Sequence, residues 1–295
     1  MLLPTERPDF ERDGAAWPNR AQSRFVRSGG LRWHVQSWEA PEPSAPTLLL
    51  LHGTGAATHS WAGLAPLLAE RARIVAPDLP GHGFTETPSW PSRLSLQGMS
   101  AAVGGLLGSL GAAPDLVVGH SAGAALAIQM TLDGRIAPRR VIGLNAALRP
   151  FQGFAGAVFP QLAKLLFVNP LVPRMFAAAA QNPGRVRQLL EGTGSAPPPE
   201  IFENYARLFR APGHVAGALG MMAHWDLDRL RRASAGFAAP TSLFAAALDK
   251  TIPPWDAVDA AGRFADAEIV EIPRLGHLAH EEDPETIARL IYDRM

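Results

Sequence analysis

Apolar positions along the chain fall into short unbroken runs separated by stretches of helical period, and that alternation sets the expected fold. Phe25 to Trp38 holds two alternating runs around Ser28-Gly29-Gly30, the pattern of a β-hairpin with one buried face. Thr47 to Leu51 is apolar without alternation, as expected of a strand covered on both faces. Ile74 to Ala76, Leu116 to Val118, Arg140 to Asn145, Thr241 to Leu248 and Glu268 to Ile272 read the same way. Between them, helical spacing is expected over Trp61 to Arg71, Ser95 to about Leu110, the run after Gly123, Trp255 to Phe264 and Pro284 to Arg294, with Ser95 as an N-cap. Strands alternating with helices of this length predict a parallel sheet flanked on both faces. Residues 1–22, polar and proline-bearing, read as an extended arm ahead of the fold.

The rhythm fails between Leu148 and Ala235. Prolines at 150, 160, 170, 173, 183, 197, 198, 199 and 212 separate helix-like pieces, and no strand pattern is present. A helical insertion between two strands of a parallel sheet belongs at the carboxyl edge, where open α/β sheets bind ligands. The expected division is a core of residues 1–147 and 236–295 with a helical lid over 148–235.

Gly119-His120-Ser121-Ala122-Gly123 stands between an apolar strand and a helix-forming run. A strand–turn–helix of the form G-x-S-x-G holds its serine on a strained elbow, with glycines where a Cβ would strike the neighbouring strand or helix. A serine hydroxyl needs a base, and a histidine base needs a carboxylate to fix its tautomer. Asp249 and His277 follow in that order, each in the loop after a predicted strand, so Ser121, Asp249 and His277 are the expected catalytic triad. The expected oxyanion donors are the backbone N–H groups of Ala122 and of Thr54, in the glycine-rich loop after Leu51. His52 and His120 read chiefly as supports for their loops, with His120 also a candidate for the pocket wall. A metal site at His277, His280, Glu281 and Glu282 is the weaker reading, because the serine already requires His277. No metal or cofactor is called for.

These residues resemble the α/β-hydrolase superfamily over nearly the full chain, through Leu51–Gly55, Pro77–Gly83, Gly119–Gly123, Asp249–Pro253 and Gly276-His277. The resemblance implies an α/β-hydrolase fold: a mostly parallel sheet of about eight strands with flanking helices and a helical lid inserted after strand 6. Within the superfamily the chain resembles the magnesium-chelatase accessory proteins of bacteriochlorophyll biosynthesis. That likeness rests on Asp13–Arg20, Gly29–Val35, His52–Trp61, Asp133–Pro138, Asn169–Pro173, Pro212–Ala216, Gly220–Asp226 and Gly276–Glu281. It implies a role near magnesium insertion, with a tetrapyrrole as ligand and magnesium chelatase subunits as partners. An Ala246-Ala247 pair replaces the Gly-Glu often found before the acid.

Composition narrows the partners further. The 295 residues are 47% hydrophobic and 18% charged, with 27 basic and 27 acidic side chains, so no basic field exists to gather nucleic acid. The absence of cysteine excludes thiolate chemistry and disulfides. The N-terminus lacks the basic start and apolar core of a secretory signal, which makes a cytoplasmic location the expectation. The lid carries Phe151, Phe154, Phe159, Phe167, Phe176, Met221, Met222 and Trp225, suiting a bulky apolar ligand. Phe151, Met221, Met222 and Trp225 are the expected pocket residues, His214 and His224 are weaker candidates for a porphyrin-bound magnesium, and Phe154 to Ala180 is a candidate for peripheral contact with the inner membrane. Two functions follow: a serine hydrolase cleaving an acyl or ester bond of a bulky apolar compound, or a non-catalytic tetrapyrrole-binding or chelatase accessory protein that retains the triad.

Overall fold

The computed structural model describes residues 6–40, 42–150, 169 and 171–295. Eight strands form one sheet: β1 (Ser23–Ser28), β2 (Leu31–Trp38), β3 (Thr47–Leu51), β4 (Arg73–Pro77), β5 (Leu116–His120), β6 (Arg140–Leu144), β7 (Thr241–Ala246) and β8 (Ala267–Ile272). Their order is β1-β2-β4-β3-β5-β6-β7-β8. Strand β2 runs antiparallel to β1 and β4, and the strands from β4 to β8 are mutually parallel. The hairpin turn falls at Gly29 and Gly30, both at positive φ as a type I′ turn requires.

Strands β3 and β5 to β7 are buried almost throughout, which explains why their sequences run apolar without alternation. One core face packs Leu49, Leu51, Val75, Val117 and Val141 against helices Leu96–Leu110 and Ala122–Leu132. The other packs Leu48, Leu50, Ile74, Val118 and Ile142 against helices Leu64–Ala69 and Pro284–Tyr292. Helix Leu96–Leu110 starts where expected, with Ser95 Oγ accepting the Gly98 N–H at 3.1 Å, and ends at Gly111 in the left-handed region.

Between β6 and β7 lie helices Leu171–Ala179, Pro183–Glu191, Pro199–Phe209, Pro212–His224 and Leu227–Ala233. Prolines occupy the first turn of Pro183–Glu191, Pro199–Phe209 and Pro212–His224, where a missing N–H costs nothing. Phe151 and most of the stretch from Phe154 to Ala180 lie outside the described residues. No helix among the described residues is long and apolar enough to cross a membrane.

The expectation of an extended arm ahead of the fold over residues 1–22 is overturned: the chain turns as a short helix at Phe10–Asp13 and packs onto the core. Trp17 is buried with Ala57, Phe84 and the lid residue Leu208, and its indole N–H donates to Thr58 Oγ1 at 3.0 Å. Phe10 closes the cluster edge-on against Phe25 and Phe84. Isolated residues, Trp17 with Pro8, Gly14 and the half-buried Phe10, and Arg7 bonded to the carbonyls of Gly81, Gly83 and Gly213, seat the arm, so no periodic pattern marks it in the sequence.

Candidate active site

Ser121 sits between the end of β5 and the start of helix Ala122–Leu132, at φ 52° and ψ −115°. A non-glycine residue in this region costs on the order of 1–3 kcal/mol and persists only where its surroundings impose it. The two glycines of the motif show what imposes it. A Cβ on Gly119 would lie 2.4 Å from the Ala124 nitrogen, and one on Gly123 would lie 1.9 Å from the Leu51 carbonyl oxygen. Strand β5, its following helix and the end of β3 therefore meet at backbone contact, and the chain can turn only by straining at Ser121. The serine is partly exposed while its neighbours on both sides are buried.

Two loops bring Asp249 and His277 together. His277 Nδ1 lies 2.7 Å from Asp249 Oδ2, an arrangement in which Nδ1 donates to the carboxylate oxygen and Nε2 keeps its lone pair. Asp249 Oδ1 accepts the N–H groups of Thr251 and Ile252 at 2.7 and 2.8 Å, which fixes the carboxylate. Both side chains are more than nine-tenths buried. Among the described residues Ser121 Oγ makes no hydrogen bond, so the couple is closed at its acid end and open at the serine, as is common before substrate is bound.

Two supports of the histidine loop were not foreseen. Asn145, itself at φ 47° after β6, donates from Nδ2 to the carbonyls of Gly276 and His277 at 3.1 and 2.9 Å and accepts the Ala246 N–H at 2.9 Å. It braces β6 to the loops after β7 and β8. The second support comes from the lid: Ser195 Oγ accepts the Leu278 N–H at 2.8 Å, and Thr193 O accepts the Lys250 N–H at 2.9 Å. Gly194 passes so close that a Cβ would fall 1.9 Å from Leu248 O, while one on Gly276 would fall 2.3 Å from Gly194 O. The sequence signal was the Gly194 and Gly276 pair, legible only once their contact is known.

The oxyanion candidates lie on adjoining backbone. Among the described residues neither the Thr54 N–H nor the Ala122 N–H has an acceptor. His52 fixes the first: Leu79 N–H donates to its Nε2 at 2.9 Å, so Nδ1 carries the proton and donates to Gly53 O at 2.8 Å. Gly53 C=O and Thr54 N–H share one planar trans peptide and point in opposite directions, so holding the carbonyl aims the N–H. Burial lowers the pKa of His52, which keeps it in the neutral form this bridge requires.

The expected pocket residues take different places. Met221 is fully buried and receives the Thr54 hydroxyl at 3.5 Å on its sulfur. Met222 is half-buried on the same helix. Trp225 spends its indole N–H on Leu94 O at 3.0 Å and packs against the main core. His120 lies beneath the loop, donating from Nε2 to His277 O at 2.9 Å, with burial driving its pKa well below the ordinary value. Phe151 is outside the described residues. His280 and Glu281 engage Ser60 and the lid: His280 Nε2 lies 2.8 Å from Ser60 Oγ, and Glu281 Oε1 accepts Ser60 Oγ and the lid's Tyr205 hydroxyl at 2.7 and 2.8 Å. Glu282 binds the Gly276 and Ala196 N–H groups, so these side chains are spent in separate directions rather than on a common ion. His214 uses both ring nitrogens on backbone groups and is fully buried, which removes it as a magnesium ligand.

Comparison with known proteins bears on the fold and the family. The chain is 39% identical to the magnesium-chelatase 30 kDa subunit of Rhodobacter capsulatus over 283 residues, covering 95% of this chain and 96% of that one. An α/β-hydrolase fold protein from Burkholderia ambifaria superposes with a TM-score of 0.76 at 23% identity, covering 92% of this chain and 98% of the other. An epoxide hydrolase from Vigna radiata does so at 0.74 and 21%, covering 92% and 97%. Residues 48–290 match the alpha/beta hydrolase family. The chain belongs to the α/β-hydrolase family.

Proposed function

We propose that this protein is a serine hydrolase that cleaves an acyl or ester bond of a bulky apolar substrate, and that it works alongside magnesium chelatase in bacteriochlorophyll synthesis. Ser121 Oγ attacks the acyl carbon while His277 Nε2 takes its proton, and Asp249 steadies the imidazolium that forms. The Thr54 and Ala122 N–H groups bind the oxyanion of the tetrahedral intermediate. His277 then gives the proton to the leaving oxygen, and water taken up in the same way releases the acid. The observation that carries this reading is the 2.7 Å Asp249–His277 couple at the sheet edge that also holds Ser121 at its strained turn. An aspartate nucleophile, as in dehalogenases and epoxide hydrolases, is not available because Ser121 occupies the elbow. A tetrapyrrole is the substrate class that the likeness to a chelatase subunit favours, and the apolar side chains of the lid suit one.

The name of that relative favours a second reading, in which the protein assists chelatase and keeps the triad without needing turnover. Complementation separates the two. In a deletion strain, Ser121→Ala restores no pigment synthesis if hydrolysis is the function. Full restoration by Ser121→Ala would transfer the assignment to the accessory role.

A further inference from the structure

The oxyanion loop is held from a second side by the lid. Helix Pro212–His224 lies against the loop after β4 at backbone distance: a Cβ on Gly217 would be 1.9 Å from Gly81 O, and Gly81 itself is at φ 81°. That approach brings His214 between two backbone groups. Gly83 N–H donates to His214 Nδ1 at 3.0 Å, and His214 Nε2 lies 3.0 Å from Gly55 O. An amide N–H can only donate, so Nδ1 is the acceptor, the proton sits on Nε2, and Gly55 O receives it. The ring is therefore neutral with both nitrogens engaged, in keeping with a pKa pulled down to about 3 by burial.

The loop on its far side is rigid. The Asp78 carboxylate accepts the Thr58 and Phe84 N–H groups at 2.7 and 2.8 Å and meets His34 Nδ1 at 2.8 Å. His52 and His214 are thus parallel ties from one fixed loop, through Leu79 and Gly83, to the carbonyls of Gly53 and Gly55 on either side of Thr54. One tie belongs to the sheet and the other to the lid.

We propose that His214 is a positioning residue for the oxyanion hole: from the lid it fixes the Gly55 carbonyl and with it the Ala56 N–H of the same peptide, which donates to Gly53 O at 3.2 Å, so that the Gly53–Thr54 peptide and its Thr54 N–H are correctly aimed only while helix Pro212–His224 is seated. This rests on the serine hydrolase reading above. It makes the lid part of the catalytic framework as well as a cover. Leucine at 214 leaves both backbone groups unpartnered, whereas glutamine carries an acceptor and a donor at nearly the spacing of the two ring nitrogens and can restore both bonds.

The test compares wild type, S121A, H214L and H214Q for the second-order rate of labelling by a fluorophosphonate and for kcat and KM on 4-nitrophenyl butyrate, with hydrogen–deuterium exchange over residues 52–58. Removing one oxyanion donor costs about 10²- to 10³-fold. Misaiming one is expected to lower kcat and the labelling rate about 10- to 100-fold in H214L, with KM within about threefold, faster exchange in the loop, and H214Q close to wild type. A residue that merely packs would not give a loss confined to kcat and restored by glutamine. If H214L does not fold, H214N, too short to reach both partners, is expected to show the same loss. Labelling of H214L at the wild-type rate with unchanged exchange overturns the proposal, as does H214Q losing as much as H214L. If wild type takes no probe, the hydrolase reading fails instead, and exchange over 52–58 that is unchanged in H214L overturns the positioning role independently.

Discussion

Ser121 bears its strain because two neighbours leave the backbone no alternative. Gly123→Ala puts a methyl carbon on the Leu51 carbonyl oxygen, and neither atom belongs to a side chain that could rotate away. The expected loss of stability is at or above the ~3 kcal/mol that ends the usual overpacking range, read as a lower urea midpoint, while Gly108→Ala, with open space around it and an ordinary helical backbone, provides the control. Glu281 presents a different case. Burial raises its pKa to about 8 from 4.5, so the folded protein holds its proton across a window where the unfolded chain has released it. Stability from this group is full below pH 4.5 and is lost as pH rises to about 8, by a few kcal/mol at most. Glu281→Gln keeps an oxygen for Ser60 and Tyr205 and cannot ionise. Its melting temperature relative to wild type is expected to rise between pH 5 and 8 and to level off above; a pH-independent difference would show that Glu281 is ionised in the fold. The elbow was legible in the sequence because its constraint lies within five consecutive residues. Glu281 and His214 were not, since their partners lie at Ser60 and Tyr205, and at Gly55 and Gly83.

Among the elements, strands and capped helices followed their sequence patterns closely, because burial on two faces and a Ser95 cap are local signals. The N-terminal arm did not, and the lid, whose helices did follow their proline-punctuated pattern, makes contacts with the site that no local signal marks. Trp17 ties the arm to the 3₁₀ turn at Thr58 and to the lid at Leu208, and Trp17→Ala is expected to cost about 3–5 kcal/mol in global unfolding. A loss under about 1 kcal/mol would return the arm to the status of an appendage. Thr193 to Ala196 touch the acid loop and the histidine loop together, so the lid braces the site at a second point besides His214. Asn145 does the same from within the core. Asn145→Ala removes both donors to the histidine loop and is expected to lower kcat about tenfold with KM little changed, as misplacement of a general base does. An unchanged kcat would mean that Asp249 alone orients His277.

At the scale of the whole molecule, the chain carries an α/β-hydrolase fold and a near-complete alignment with a protein named as a chelatase subunit. Fold and name point to different uses of the same edge of the sheet. Five loops, after β3, β5, β6, β7 and β8, place Thr54, Ser121, Asn145, Asp249 and His277 along that edge, and the lid is tied to it by His214 on one side and Ser195 on the other. The sequence order Ser, Asp, His and the position of each after a strand made the edge legible. How the lid grips it was not, because those contacts join residues far apart through backbone groups that any sequence carries. The central claim is that Ser121 is a working nucleophile. Intact-mass analysis after exposure to a fluorophosphonate tests it most directly: the account predicts one adduct per chain, mapped to Ser121 and absent from Ser121→Ala. A folded wild-type protein that takes no adduct, or takes it equally when Ser121 is alanine, would contradict it.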